Sequence, residues 1–420
     1  MKDLRFSAPE KWSEEKLNSV IDNLSAGISV NSGDRPANKD EIAVLKTSSL
    51  NKGRFISKEN KVIIDDEERE RAKKNPIAGS ILISRMNTPD LVGEIAYVEK
   101  DYPNLFLPDR IWITEGINHD KVNMKWLSYK LTSPEVRHNL KSIATGTSGS
   151  MKNITQKDFL KLPITFPPKV IQNKIVDIVE NWDEAITKTE KLIQAKKRHK
   201  KGLMQRLLSG KVRFPEFEGE DWVEVKLGSL FKEVKRMDEW DDDKLYELIS
   251  VRRRSGGIFH RENLYGREIK TKKLKKVKTG DFLISRMQIV HGASAVVTPE
   301  FEDLYVSNSY HTLVKKKDVE LDMTFFDYIS QLPYFYHLSY ISSYGVHIEK
   351  MTFNLKDFLK KEIRIPRSQE EQSNIAELLS KVDKEISLLS KKKKKYQKQK
   401  QGLMQKLLTG KVRVNNLEVA

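Results

Sequence analysis

The stretch ISRMN at 83–87 sets an arginine, Arg85, two positions ahead of Asn87, with Thr88 next. The stretch ISRMQ at 284–288 sets Arg286 two positions ahead of Gln288. A guanidinium fork pairs bidentately with guanine, and a carboxamide pairs bidentately with adenine. An Arg-x-Asn/Gln loop leaving a strand is therefore chemically able to read bases. Two readings stand at this point: base-reading loops, or two arginines serving as internal salt-bridge partners. Further downstream, ATGTSGSMKNIT at 144–155 offers Thr147, Ser148 and Lys152 on a glycine-rich loop, where amides and small hydroxyls suit phosphate contacts. Its counterpart SSYGVHIEKMT at 342–352 offers Tyr344 and His347 instead. VRRRSGG at 251–257 adds Arg252, Arg253 and Arg254. For the loops at 144–155 and 342–352 the bland alternative is an ordinary flexible loop.

Other chemistry is thinly represented. No GxxxxGK[ST] phosphate loop occurs. WDEAI at 182–186 resembles a helicase acidic box but lies within a helical stripe with no phosphate loop to serve. NPIA at 75–78 lacks the second proline and the aromatic that would hold a flipped base. EVK at 224–226 can be written as a nuclease ExK, yet a strand entering a domain explains it equally. The eight histidines show no metal-ligand spacing. No catalytic or metal-binding residue is assigned.

Lys and Arg number 76 against 59 Asp and Glu, a net charge of +17, which favours a polyanionic partner, nucleic acid first. There is no cysteine, in keeping with a reducing cytoplasm. No apolar run reaches the roughly 20 residues needed to span a bilayer, and the first twelve residues, MKDLRFSAPEKW, have no apolar signal core.

The elements that must position these loops come in duplicate. GLMQRLLSGKVR at 202–213 returns as GLMQKLLTGKVR at 402–413, with ten of twelve residues identical. GSILISRM (79–86) matches GDFLISRM (280–287), and KDFLKLPITFPP (157–168) matches KDFLKKEIRIPR (356–367). Trp12 and Lys16–Leu17 match Trp222 and Lys226–Leu227. A period near 200 residues means duplication of a whole domain with its connector.

Each half closes with a long helical pattern, about 169–209 and 369–409. The first carries Ile171, Ile175, Ile178, Trp182, Ala185, Ile186 and Ile193; the second carries Ile375, Leu378, Val382, Ile386 and Leu389. This is a heptad-like stripe. Pro167–Pro168 opens the first helix, Ser368 and Glu371 read as a capping box on the second, and Gly210 and Gly410 end them. About 41 residues make a rod of roughly 60 Å. The two rods are expected to pair as an antiparallel intramolecular coiled coil with pseudo-twofold symmetry; the alternative is that each packs on its own domain. KKRHKK at 196–201 and KKKKKYQKQK at 391–400 occupy equivalent places, as a solvated face or as a phosphate- or protein-docking collar. Beyond them the apolar stripe restarts with Leu203, Met204, Leu207 and Leu208, and with Leu403, Met404, Leu407 and Leu408. That restarted stripe is expected to be exposed and to dock another protein.

Strands are expected at GSILISRM, GEIAYVEK, RIWITEG, YELISV, GDFLISRM and ASAVVT, and shorter helices at 123–142 and 322–340. The fold class is thus α+β: a first mixed α/β recognition domain (1–166), a first long spacer helix (167–211), a second recognition domain (212–366), a second spacer helix (367–411) and a tail (412–420).

With these features in place, the whole chain resembles the specificity subunit of type I restriction–modification enzymes. The resemblance rests on the two target-recognition halves, the two spacer helices, the repeated GLMQ…GKVR endings, ISRMN and the DFLKLPITFPP lead-in. It implies a non-catalytic, cytoplasmic subunit that reads a bipartite double-stranded DNA target. It implies docking of two adenine-N6 methyltransferase subunits and, through them, restriction subunits. S-adenosylmethionine, ATP and Mg²⁺ are then expected in those partners and no cofactor in this chain. Because Gln288 replaces Asn87 and YGVH replaces GTSGS, the two half-sites should differ. The competing functions are a stand-alone DNA-modifying or cleaving enzyme and a basic coiled-coil scaffold.

Overall fold

A computed structural model describes residues 12–146, 150–348, 351–412 and 414. The chain divides into two compact units, residues 1–189 with 392–420, and residues 190–391.

In the first unit, the alternating or continuous apolar runs form a four-stranded antiparallel sheet. Its order is Ile21–Ala26, Ile111–Ile117, Ile81–Ser84, Ile95–Tyr97. The strand Ile81–Ser84 is buried at every position, as expected of a central strand covered on both faces. A smaller sheet pairs Ala43–Leu45 with Asn60–Val62 and Leu105–Phe106. The helix expected at 123–142 is two helices, Met124–Leu131 and Pro134–Ile143. Proline has no N–H to donate and disfavours helix in the residue before it, so the chain breaks at Ser133 and restarts with Pro134 in the first turn.

The second unit repeats this plan. Its main sheet runs Phe231–Glu233, Tyr310–Lys315, Phe282–Ser285, Ser294–Val296, again antiparallel. The expected helix at 322–340 likewise splits, into Met323–Ser330 and Pro333–Ile341. Its second sheet differs from that of the first unit. Leu245–Val251 and Ile258–Tyr265 form a long hairpin, joined by Tyr305–Ser307 and Leu274–Lys276.

The two long helices span Lys169–Leu207 and Gln369–Leu408. Each starts inside a domain core: Ile171, Ile175, Val176 and Val179 in the first unit, Ile375, Ala376 and Leu379 in the second. Equivalent glutamines fix these starts. Gln172 is fully buried; its Oε1 accepts the Asn123 N–H at 2.8 Å, and its Nε2 donates to the Lys121 and Pro167 carbonyls. Gln372 does the same for Asp322, Glu320 and Pro366. The helices then run antiparallel beside each other. In the first unit Trp182 meets Tyr396 edge to face at 5.5 Å, and Lys400 pairs with Asp183 at 2.5 Å. In the second, Lys196 pairs with Glu385 at 2.6 Å and Lys200 with Asp383 at 2.7 Å. Both expected modes of packing therefore occur, each on a different stretch of the same helix.

The helix ends correct the sequence reading. Leu407 and Leu408 are 1 % exposed and belong to the core of the first unit, with Leu403 and Met404 packed against it. Leu207 and Leu208 are 4 % exposed and belong to the core of the second, with Leu203 and Met204 beside them. Leu207, Leu208, Leu407 and Leu408 are thus covered by this chain's own domains, whereas Leu203, Met204, Leu403 and Met404 stay partly exposed. An amphipathic helix end buried within its own chain and one awaiting a partner have the same residue pattern; only the tertiary fold separates them.

The repeated glycine explains itself here. Gly210 and Gly410 both adopt φ +69°, the left-handed cap that glycine enters without penalty. A Cβ on Gly210 would lie 3.3 Å from the Trp222 ring, and one on Gly410 3.3 Å from the Trp12 ring. The dodecapeptide is thus an internal plug: two leucines for a core, then a glycine that lets an indole lie against the turn. The capping box at the second helix forms only in part. Ser368 Oγ accepts the Glu371 N–H at 3.3 Å, whereas the Glu371 carboxylate turns away to Arg213.

Candidate nucleic-acid interface

In each unit the main sheet delivers one arginine at the end of its central strand. Arg85 follows Ile81–Ser84; its N–H bonds to the Arg110 carbonyl and its own carbonyl accepts the Ile154 N–H. Arg286 follows Phe282–Ser285; its N–H bonds to the Ser309 carbonyl and its carbonyl accepts the Phe353 N–H. Both arginines are half-buried, and in both the Nε is buried without a hydrogen-bond partner. Among the described residues neither guanidinium takes part in an ion pair, so the salt-bridge alternative gains no support there.

What lies under the arginine differs. Strand register places Trp112 opposite Ile83 and His311 opposite Ile284. Arg85 stands over the Trp112 ring at 5.9 Å. Arg286 shares its surroundings with His311, Lys275 and Glu233. His311 Nδ1 meets Glu233 at 2.7 Å. Burial pushes the imidazole below its ordinary value, with Arg286 and Lys275 adding to that and Glu233 opposing it. Lys275 is fully buried, gives its ammonium to the Tyr310 carbonyl at 2.6 Å, and is likewise pushed down by burial and by Arg286. Burial works against the Glu233 carboxylate too, but the His311 hydrogen bond and the neighbouring cations win and hold it low. The second unit therefore sets a cation-rich cluster beneath Arg286, the first an aromatic face beneath Arg85.

The expected loop residues assemble around these arginines. In the first unit Lys152 pairs in register with Asn87, and the Lys152 ammonium reaches the Gly146 carbonyl at 2.9 Å. Thr88 is exposed. Thr147 and Ser148 lie outside the described residues. Asn87 departs from expectation: it is 9 % exposed, and its amide is engaged with Ser84 Oγ and the Thr88 N–H. It shapes the turn, and its likeness to Gln288 stops at sequence position. Gln288 lies partly exposed and its Oε1 has no partner.

In the second unit Arg252–Arg254 occupy the tip of the long hairpin. The N–H groups of Arg254 and Ser255 donate to the carbonyls of His291 and Gly292, which pins the tip to the turn just past Gln288. Arg254 and Ser255 adopt φ +56° and +49°, so that tip is built from consecutive left-handed non-glycine residues. Arg252 stacks on Phe259 at 4.1 Å. All three arginines are exposed. Tyr344 pairs with Thr352 on a short ribbon, donates its hydroxyl to Asp357 and is 57 % exposed; His347 beyond it is also exposed. Backbone hydrogen bonds thus gather Arg252–Arg254, Arg286–Gln288 and the Tyr344 loop on one domain. Sequence reasoning missed Trp112, Lys275 and His311. Their signal was the partner strand's register, which the residue pattern alone does not give.

Duplicated mixed domains of one strand order, each presenting an arginine and a distinct set of polar and cationic loops, define a two-headed recognition protein of nucleic-acid type. The model of the type I restriction modification DNA specificity domain matches residues 9–197 and again 219–397. The chain belongs to this family and carries its domain twice. It is 25 % identical over 429 residues to the putative type I restriction enzyme MjaX specificity subunit of Methanocaldococcus jannaschii, covering 97 % of this chain and 95 % of that one. Over 191 residues it is 27 % identical to the EcoEI specificity subunit of Escherichia coli, covering 45 % of this chain and 32 % of that one. The fold is similar to that of the type I S subunit from M. genitalium, with TM-score 0.55 at 14 % identity over 96 % of this chain and 98 % of that one. It is also similar to the HsdS subunit from Thermoanaerobacter tengcongensis, with TM-score 0.51 at 19 % identity over 98 % of this chain and all of that one. Among the described residues no helix is long and apolar enough to cross a membrane.

Proposed function

We propose that this chain supplies DNA sequence recognition to a type I restriction–modification complex and performs no catalysis itself. Each domain reads one half of a split target. The observation that carries this reading is one frame with two different faces. Arg85 and Arg286 leave equivalent strands, but Trp112 and Asn87 surround one while His311, Lys275 and Gln288 surround the other. Equal frames with unequal faces read unequal half-sites, so the target is bipartite and asymmetric. The net charge of +17 draws the duplex in, and loop lysines and arginines hold its phosphates.

Two adenine-N6 methyltransferase subunits dock on the long helices, and restriction subunits join through them. S-adenosylmethionine, ATP and Mg²⁺ reside in those partners. Because Leu207, Leu208, Leu407 and Leu408 are covered, docking falls to the outward helix faces, where Leu192 and Leu388 remain 45 % and 55 % exposed. The subunit acts in the cytoplasm, with the DNA it reads.

The test is methylome sequencing of a host free of other methyltransferases, carrying this chain with a cognate methyltransferase subunit. The expected result is a split motif with N6-methyladenine on both strands, erased when this chain is deleted. Methylation that persists without the chain would overturn the reading.

A further inference from the structure

The hairpin tip at 252–257 is pinned at several points and strained at two. The Arg254 N–H donates to the His291 carbonyl at 2.6 Å, and the Ser255 N–H to the Gly292 carbonyl at 2.9 Å. The Ser255 hydroxyl meets the Tyr336 hydroxyl, and the Tyr336 ring lies so close to Gly292 that a Cβ there would clash with it. Within the tip the Arg252 N–H closes on the Gly257 carbonyl at 3.0 Å. Arg254 and Ser255 adopt φ +56° and +49°, with the two glycines only at 256 and 257. Left-handed backbone costs stability at any residue with a Cβ, and arginine is not among the few that enter it readily. Such residues persist where their surroundings over-determine them, and they gather at ligand-binding sites. The Arg254 side chain does nothing to explain its place. Arg252 lies against Phe259 at 4.1 Å, and Arg253 has a partner of its own. Among the described residues the Arg254 guanidinium has none, and the residue is exposed. The first unit builds its equivalent connection differently. Ala43–Leu45 pairs parallel with Leu105–Phe106, as Leu245–Val251 does with Tyr305–Ser307. The chain after Ala43–Leu45 forms a small hairpin that bridges Gly53 to Ala96 on the edge of the main sheet, with no arginine in left-handed backbone.

We infer that Arg254 reads one guanine of the second half-site in the major groove, at a base pair other than the one Arg286 reads. This rests on the DNA-reading role proposed above and deepens it. A guanidinium fork meets the O6 and N7 acceptors of guanine, and the groove that displays them admits a two-stranded β-ribbon. A phosphate contact makes small demands on the backbone that carries it, because a long cation on a loose loop follows the charge. Reading two atoms of one base edge needs a fixed origin. The tip, pinned to His291 and Gly292, supplies that origin. A free guanidinium on a rigid and strained base is the arrangement that base reading calls for and phosphate binding does not. The second half-site thereby gains a contact that the first domain has no counterpart to make.

The experiment uses the full chain assembled with its methyltransferase subunits, on the target that the methylome defines. 7-Deazaguanine, which lacks the N7 acceptor, replaces each guanine of the second half-site in turn. One replacement should weaken binding by the wild-type complex about tenfold, and the Arg254→Gly complex should be indifferent to it. The methylome of Arg254→Gly should become degenerate at that base pair alone, whereas Arg286→Ala relaxes a different one. Glycine also relieves the left-handed strain, so Arg254→Gly should melt no lower than the wild type by calorimetry. Three results would overturn the assignment. A second half-site without guanine leaves nothing for Arg254 to read. Uniform weakening of the whole motif by Arg254→Gly marks a phosphate contact. A lower melting temperature means that the arginine serves the fold. Sequence-specific methylation by the wild-type complex keeps the two ideas apart. If it occurs and Arg254→Gly leaves the motif unchanged, only the Arg254 assignment fails; if it never occurs, the specificity reading fails as well.

Discussion

Arg213 grips Glu371 with two parallel hydrogen bonds, Nε to Oε1 at 2.8 Å and Nη2 to Oε2 at 2.5 Å, across 158 residues of sequence. Trp222 donates its indole N–H to the same carboxylate at 3.3 Å. The glutamate side chain is 1 % exposed and the arginine 15 %. The end of one long helix, the start of the other and the first strand of the second domain therefore meet on one buried charge. Breaking such a pair from one side strands the other charge and costs about 3 kcal/mol. Glu371→Ala should lower the melting temperature of the second unit by several degrees, read by calorimetry, and Arg213→Ala should do nearly the same. A double variant no worse than either single one would establish that they act as a pair.

Gln172 and Gln372 are themselves fully buried, and each answers one N–H and two carbonyls. Replacing either with leucine keeps the volume and leaves those groups unmet, at about 1–3 kcal/mol. Chemical denaturation should report a loss of that size for each. A change below about 0.5 kcal/mol would mean that the helix starts are held by apolar packing alone.

His311 makes the second unit sensitive to acid. Burial holds its folded pKa below 6.5, so the unfolded chain binds that proton more readily. The associated stability is present above pH 6.5 and drains away as pH falls below it. Melting temperatures at pH 7.5 and 5.5 should show a steeper acid loss for the native protein than for His311→Gln. Parallel slopes would refute this assignment.

Arg85 and Arg286 should separate the two half-sites. Arg85→Ala should relax preference in one half of the methylated motif and Arg286→Ala in the other, each by about 1–3 kcal/mol of discrimination. Methylome sequencing of each variant reads this directly. Uniform weakening of the whole motif by either change would mean phosphate contact without base reading.

Much of this was legible in the residues because periodicity survives folding. Two rods were readable from a sustained stripe, from Pro167–Pro168 and from the terminal glycines, and their observed ends fall within two residues of the expected ones. The central strands were readable from unbroken Ile, Leu and Phe. Positions set by pairing were not. Trp112 and His311 come to lie beside the arginines through antiparallel register, which a one-dimensional pattern does not fix. Asn87 and Gln288 look alike on paper, yet one closes a turn on Ser84 while the other faces a cleft. The helix-end leucines announced a buried partner without saying that it was the chain's own domain.

The division of the chain carries a consequence for its birth on the ribosome. The second unit is one unbroken stretch, residues 190–391, whereas the core of the first includes Leu407, Leu408 and Val414. A nascent chain leaves the ribosome from its N-terminus and usually folds in that order. Here the earlier-made domain must wait, its core unfinished, until residues 407–414 have been made. The later-made domain can close first, and the native state is sealed only when the last helix returns to the beginning.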